Sequence, residues 1–288
     1  MGAKRAGIMA KRVAQGYEGQ LEPARNARNY RVGVPSHHAR PLRLWSGPLT
    51  VTARSWPGFP GCAYLLIAGG HSGDLQPPDT DTVNQWLATL RDAGYSHVRT
   101  GAVGPDIARR LTESGFAVAQ DLALLSVDLT AGTPVVNTGQ GIRVVRRGPG
   151  RRGVLAGVLD VDSTAFGPGW ALDMDSLEEA IAATQRSRTW TARDDSGRVT
   201  GFVLAGVTGP TGFVQRIAVS PGHRRTGLAA SLLGRAHDWM SARGCTTAVV
   251  NTETTNDAAL ALYQRFGYRA MPYGLQVLER SLTTGVAR

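Results

Sequence analysis

Lysine is almost missing from this chain: of its 32 basic residues only Lys4 and Lys11 are lysines. So strong a preference for arginine, alongside abundant alanine and glycine, reads as the composition of a GC-rich bacterial genome. Cysteine is equally scarce. Cys62 and Cys245 stand far apart and match no metal or redox spacing, which excludes a disulfide framework and a cysteine-based zinc site and fits a reducing cytoplasm. No apolar run approaches the roughly 18 residues a membrane span needs; Cys62 to Ala68 is of strand length. Acidic residues are outnumbered, 22 against 32, for a net charge of +10. That excess is concentrated at the start, where residues 1–43 hold nine basic and only two acidic side chains. A nucleic-acid groove needs its charge on the folded part, so the distribution argues against one. Two phosphate-binding fingerprints are lacking from the turn at Pro221 to Ala229 as well: it holds neither G-x-x-x-x-G-K-[ST] nor G-x-G-x-x-G.

The informative stretch runs from Phe213 to Tyr268. Phe213, Gln215, Ile217 and Val219 alternate with Val214, Arg216 and Ala218, the period of a strand. Leu228, Leu232, Ala236 and Met240 then recur every four residues, the spacing of a helix with one apolar face. The turn that joins them, Pro221 to Ala229, is basic and contains Gly227. A strand, a glycine-containing basic loop and a helix opening with small residues make an anion site. The first helical amides lack intrahelical partners and carry the positive end of the dipole, and small residues let an oxygen approach the backbone.

The loop reads R-x-x-G-x-A, with Arg224, Gly227 and Ala229, and a V-x-P segment (Val219 to Pro221) precedes it. After a strand-like Thr247 to Thr252 comes N-x-x-A-x-x-x-Y-x-x-x-G-[FY], with Asn256, Ala259, Tyr263, Gly267 and Tyr268. Together these resemble the two signature halves of the GNAT superfamily of acetyl-CoA-dependent N-acyltransferases.

The resemblance implies an α/β (α+β) fold: a mixed, mostly antiparallel twisted sheet flanked by helices. It implies acetyl-CoA as cosubstrate, no metal, and direct attack of a primary amine, on a small molecule or a protein N-terminus, on the thioester. Ile217, Ala218, Val219, Arg224, Arg225, Thr226, Gly227, Leu228, Ala229 and Asn256 would hold the cofactor. The Val219 amide would polarise the thioester oxygen. Asn256 would hold the pantetheine arm, cap its helix, or do both.

Tyr263 occupies the place of the acid that protonates the leaving sulfur, or else fills a gap between helix and sheet. The positions where relatives carry a carboxylate base hold Gln215 and Asn251, neither of which takes a proton at neutral pH. The nearest carboxylate is Glu253, a candidate base or a solvated strand-end charge; a water relay through Gln215 and Asn251 is the other route. His223 reads as an exposed loop residue. Phe166 and Trp170, in the segment matching the family's acceptor loop, are either walls for the acceptor or core anchors. An acyl-CoA-binding protein without catalysis is the competing expectation, favoured by the missing carboxylate. Monomer and homodimer both remain open.

Upstream, residues 1–40 are basic, lack apolar periodicity and read as a disordered tail. A smaller GNAT-like α/β unit is expected over 41–130, a linker over 131–141 and the N-acetyltransferase domain over 142–288. The smaller unit is a weak internal repeat: a constant shift of 152 places Val98 on Val250, Thr100 on Thr252, Gly115 on Gly267 and Phe116 on Tyr268. Leu111 and Gly104 fall at the positions of Tyr263 and Asn256, and the glycine-rich Gly69 to Asp74 run is followed by Pro77-Pro78, which cannot open a helix directly. This half is expected to bind no acyl-CoA.

Overall fold

A computed structural model describes residues 41–46, 49–56, 59–69, 77–132, 141–145, 150–167 and 169–283. The basic tail, the linker's residues 133–140 and the Gly70 to Asp74 run lie outside them. The described elements are, in order, β1 (Leu42–Ser46), β2 (Leu49–Trp56), β3 (Phe59–Gly69), α1 (Thr80–Asp92), β4 (His97–Thr100), α2 (Pro105–Glu113), β5 (Ala117–Asp128), β6 (Arg143–Val144), α3 (Arg151–Phe166), α4 (Met174–Ala182), β7 (Arg186–Arg193), β8 (Val199–Thr208), β9 (Thr211–Val219), α5 (Leu228–Ser241), β10 (Thr247–Glu253), α6 (Asp257–Arg265), β11 (Arg269–Ala270) and β12 (Leu275–Ser281).

The chain divides into two compact units. One comprises Asp121–Leu275; the other holds the described residues 41–120 together with 276–283. The division differs from the sequence expectation at both ends, because each unit is completed by a strand from the other repeat. In the N-terminal unit β12 pairs antiparallel with β4, Glu279 opposite Arg99. The two side chains form an ion pair at 2.7 Å. In the C-terminal unit Leu122–Asp128 of β5 run antiparallel to the whole of β10.

The N-terminal sheet has the order β1-β2-β3-β4-β12, with β3 and β4 parallel. Its core is formed by Val51, Ala53, Ala63, Leu65 and Val98 of the strands against Val83, Trp86, Leu87 and Leu90 of α1 and Leu111 of α2. The repeat is visible in its backbone: the shift of 152 maps α2 residue for residue onto α6. Gly115 and Gly267 both turn the chain out of the helix at φ +80°, the left-handed conformation that favours glycine. Phe116 and Tyr268 then return their amides to the carbonyls of Leu111 and Tyr263, at 3.0 Å each.

The C-terminal sheet runs β5-β10-β9-β8-β7-β6 and is covered on both faces. Val203, Ala205, Val214, Ile217 and Val250 face α5 and α6, whereas Phe202, Leu204 and Ala218 face α3 and α4. The β7–β8 hairpin closes on Asp194, which accepts from the Arg198 amide and the Ser196 hydroxyl, with Gly197 at φ +84°.

One expectation about β9 is corrected. The sequence alternation put Gln215 and Ile217 on one face and Arg216 on the other. The register with β8 instead shifts between Leu204↔Arg216 and Ala205↔Val214, leaving Gln215 as the extra residue of a β-bulge. A bulge turns two successive side chains to the same side. Gln215 and Arg216 both point to α3 and α4: Gln215 Nε2 donates to the Ala180 carbonyl, and Arg216 pairs with Asp162. Ile217 faces α5 and α6.

Candidate functional site

The bulge coincides with the point where two parallel strands separate. β9 and β10 pair only at Thr211↔Thr247, Gly212↔Ala248 and Phe213↔Val249. Beyond this, β9 pairs with β8 alone and β10 with β5 alone, so each strand turns one edge of backbone groups into the gap. The Ser220 amide bonds to the Thr200 carbonyl on the β8 side. Successive amides point to opposite edges of a strand, so the Val219 N–H points into the gap.

At the top of the gap lies a cleft of about 420 Å³, lined by Ile217, Ala218 and Val219, by the loop residues His223, Arg224, Arg225 and Gly227, and by Leu228, Ala229 and Ala230 of α5; Ala165, Asn256, Ala258, Ala259, Ala261, Leu262 and Arg265 complete the lining. No carboxylate is among these residues, and three guanidinium groups are. The loop is shaped for an anion. Arg225 takes φ +65° and Gly227, at the N-cap of α5, takes φ +85°. A Cβ built on Gly227 meets nothing within 4 Å, so the space before the first α5 amides is open. Arg224 Nε reaches the Val219 carbonyl at 3.4 Å, and Thr226 Oγ1 donates to the His223 carbonyl at 2.8 Å, bracing the loop from within. Thr226 itself is exposed and does not line the cleft. His223 is half-buried with Nδ1 3.0 Å from Ser220 Oγ, more enclosed than an exposed loop residue.

Asn256 is buried, caps α6 by accepting from the Ala259 amide at 3.1 Å, and lines the cleft. Tyr263, two turns further along α6, is fully buried, and its hydroxyl has no hydrogen-bond partner among the described residues. Burial, with Tyr268 beside it, pushes its pKa well up. Tyr268 stands edge-on to the Tyr263 ring at 5.3 Å, and its hydroxyl lies 2.8 Å from His237 Nε2.

Burial pushes the His237 imidazole down to about 4. The unfolded chain therefore takes up a proton near pH 6.5 that the folded protein refuses until about pH 4. Stability is full above pH 6.5 and falls as pH drops through that window, by roughly 3 kcal/mol at its lower end. Urea midpoints at pH 7 and pH 5 measure the loss, and a His237→Gln variant flattens it.

On the opposite face of the sheet, Gln215 and Asn251 are both buried, and Gln215 Oε1 has no hydrogen-bond partner among the described residues. Glu253 is half-buried at the end of β10, two residues beyond Asn251. Phe166 belongs to the core with Leu155, Val158 and Phe202, and Trp170 packs half-buried against that cluster. Two features escaped the sequence reading. Arg265, in the last turn of α6, lines the cleft, although by spacing it is an ordinary helix-end charge. Asp162 and Arg216 form a fully buried ion pair, Nε to Oδ1 at 2.6 Å and Nη2 to Oδ2 at 2.8 Å. They stand 54 residues apart, and no local pattern joins them.

Residues 155–268 match the acetyltransferase (GNAT) family. This stretch is a GNAT acetyltransferase domain. Acyl transfer is the chemistry of that family. Solved structures with the same fold include a GCN5-related N-acetyltransferase from Sphaerobacter thermophilus, at 15% identity and TM-score 0.58, covering 83% of this chain and 78% of that one. A tandem GNAT protein from the clavulanic acid biosynthesis pathway aligns at 11% identity and TM-score 0.55, over 82% and 80%. A GCN5-related N-acetyltransferase from Kribbella flavida aligns at 18% and 0.52, over 86% and 91%. These are likenesses of fold.

The N-terminal unit keeps the frame of the GNAT domain but not its gap. β3 and β4 pair through Leu65↔Thr100, and the Gly101 amide continues the ladder to the Leu65 carbonyl at 2.9 Å. The residues of β4 that match the parted Val250–Thr252 are therefore zipped to their neighbour. The start of α1 is occupied by its own carboxylate, Asp79 accepting from the Thr82 amide at 2.8 Å. Asp79→Ala removes this N-cap and is expected to lower the melting temperature with acetyl-CoA affinity unchanged. Among the described residues no group of carboxylates, histidines and cysteines could hold a metal ion, and no helix is long and apolar enough to cross a membrane.

Proposed function

We propose that the GNAT domain transfers the acetyl group of acetyl-CoA to a primary amine by direct attack, and that the N-terminal unit is a degenerate copy that binds no acyl-CoA. The observation that carries this reading is the parting of β9 and β10 beside an open, carboxylate-free cleft at the N-terminus of α5. The pyrophosphate lies against the amides of Gly227, Leu228 and Ala229, with Arg224, Arg225 and Thr226 at the rim and Arg265 across from them. The pantetheine arm takes the place of a strand in the gap, hydrogen-bonding to β9 at Ile217 to Val219, with Asn256 alongside. The Val219 N–H, turned into the gap, donates to the thioester oxygen as charge develops on it.

The amine nitrogen attacks the carbonyl carbon; the C–N bond forms and the C–S bond breaks. The sulfur leaves with a proton from Tyr263, and the nitrogen's proton departs through water held by Gln215 and Asn251 or to Glu253, from which the phenolate is restored. Tyr263 suits the acid role because its buried hydroxyl has no partner among the described residues and can donate to an acceptor that enters the gap. An unsatisfied buried hydroxyl is costly, and a thioester sulfur in the gap supplies the missing acceptor. The site lies in a chain whose cysteine usage and composition fit a bacterial cytoplasm, acting as monomer or homodimer.

The test is release of free CoA thiol from acetyl-CoA over a panel of amines: small aliphatic and aromatic amines, amino sugars and short peptides with free N-termini. Amine-dependent release supports a transferase. Tight acetyl-CoA binding with no release from any amine instead favours the acyl-CoA-binding reading.

A further inference from the structure

The buried pair formed by Asp162 and Arg216 is more elaborate than an ion pair kept for stability. Both side chains are fully buried. The Arg216 guanidinium carbon lies over the Phe166 ring, 3.4 Å from its centroid. Arg216 Nη2 also donates to the Trp170 carbonyl at 2.9 Å, and Asp162 Oδ2 also accepts from the Leu172 amide at 2.7 Å. The pair thus grips the backbone after α3 at two points, one a carbonyl and one an amide, two residues apart. Arg216 Nη1 is buried with no hydrogen-bond partner among the described residues. Desolvating two charges offsets most of their attraction, and well-packed apolar residues commonly do as well; an unsatisfied nitrogen adds a further cost. Stability alone therefore does not account for the arrangement.

Position does. Arg216 lies on β9 inside the stretch that has parted from β10, next to the bulged Gln215. The segment it grips begins just beyond Ala165, which lines the cleft, and carries Trp170. With acyl-CoA filling the cleft on the α5 and α6 side, an incoming amine reaches the thioester along the face where Arg216, Phe166 and Trp170 stand. We infer that Asp162 and Arg216 are positioning residues that fix the segment from Gly169 to Asp173 as a preformed wall for the acceptor amine. The inference rests on the transferase reading above. In this arrangement the pair leaves acetyl-CoA affinity and the chemical step nearly untouched and acts through the concentration of amine needed to fill the site.

The test uses the full chain with Asp162→Leu and Arg216→Met combined, since either change alone leaves an unpaired buried charge and endangers the fold. Thermal unfolding and acetyl-CoA titration establish that the double variant is folded and loaded. The expected result is an acetyl-CoA Kd within about twofold of wild type, a KM for the best amine of the panel raised about tenfold or more, and kcat changed by less than about threefold. If the apolar pair does not fold, Asp162→Asn with Arg216→Gln, neutral and still polar, carries the same comparison. An unchanged amine KM in a folded, acetyl-CoA-binding double variant overturns the inference while leaving the transferase reading standing. Failure of the wild-type chain to bind acetyl-CoA instead removes the reading on which the inference rests.

Discussion

Gly227→Glu is expected to raise the acetyl-CoA Kd by about a hundredfold or more, close to 3 kcal/mol of lost binding energy. Two effects act in the same direction. Gly227 holds φ +85°, a conformation that costs a residue with a side chain roughly 1–2 kcal/mol. Its Cβ direction is also open, with no described atom beyond its chain neighbours within 4 Å, so a carboxylate there extends into the space where the pyrophosphate is placed. Gly227→Asn separates the two effects. Asparagine tolerates the left-handed region better than most residues and carries no charge, so it is expected to lose no more than about tenfold in affinity. Equal losses in both variants mean that backbone shape rather than charge governs the loop. Wild-type affinity in Gly227→Glu removes the cleft from the cofactor site altogether.

Tyr263→Phe is expected to lower kcat by about a hundredfold or more, the scale of a lost general acid, with acetyl-CoA Kd within about twofold of wild type. Stability is expected to move the other way. The hydroxyl removed is fully buried and unpartnered, so its loss leaves the free protein unchanged or up to about 1 kcal/mol more stable. A variant that is at least as stable and binds the cofactor but turns over slowly separates a proton donor from a space-filling ring, which no other substitution in α6 does as cleanly. A parallel loss of stability and activity identifies Tyr263 as a packing residue.

The parts of this molecule that could be read from sequence are those set by local geometry. The strand-loop-helix around Gly227 was legible because a small residue at a helix start, preceded by arginines, has few other uses. The repeat was legible because α2 and α6 end in the same way: each has a glycine, at 115 or 267, where the chain must turn left-handed, and then an aromatic residue.

What escaped has a common cause. Every residue of β9 from Gly212 to Ala218 is buried, since helices cover both faces of its sheet. With apolar surroundings on each side the alternation carries no contrast, and an extra residue at Gln215 leaves no mark. The Asp162–Arg216 pair and the exchange of β5 and β12 are contacts of long sequence separation, fixed by how the layers stack. Arg265 escaped because a cationic helix end is a common solvated feature, and only the adjoining cleft makes it more.

The most direct test of the account is a calorimetric titration of the full chain with acetyl-CoA. The account predicts a micromolar Kd and one site per chain: the GNAT domain has an open gap with a free helix N-terminus, whereas in the N-terminal unit β3 is zipped to β4 and Asp79 caps α1. No heat of binding, or two equivalent sites per chain, contradicts it.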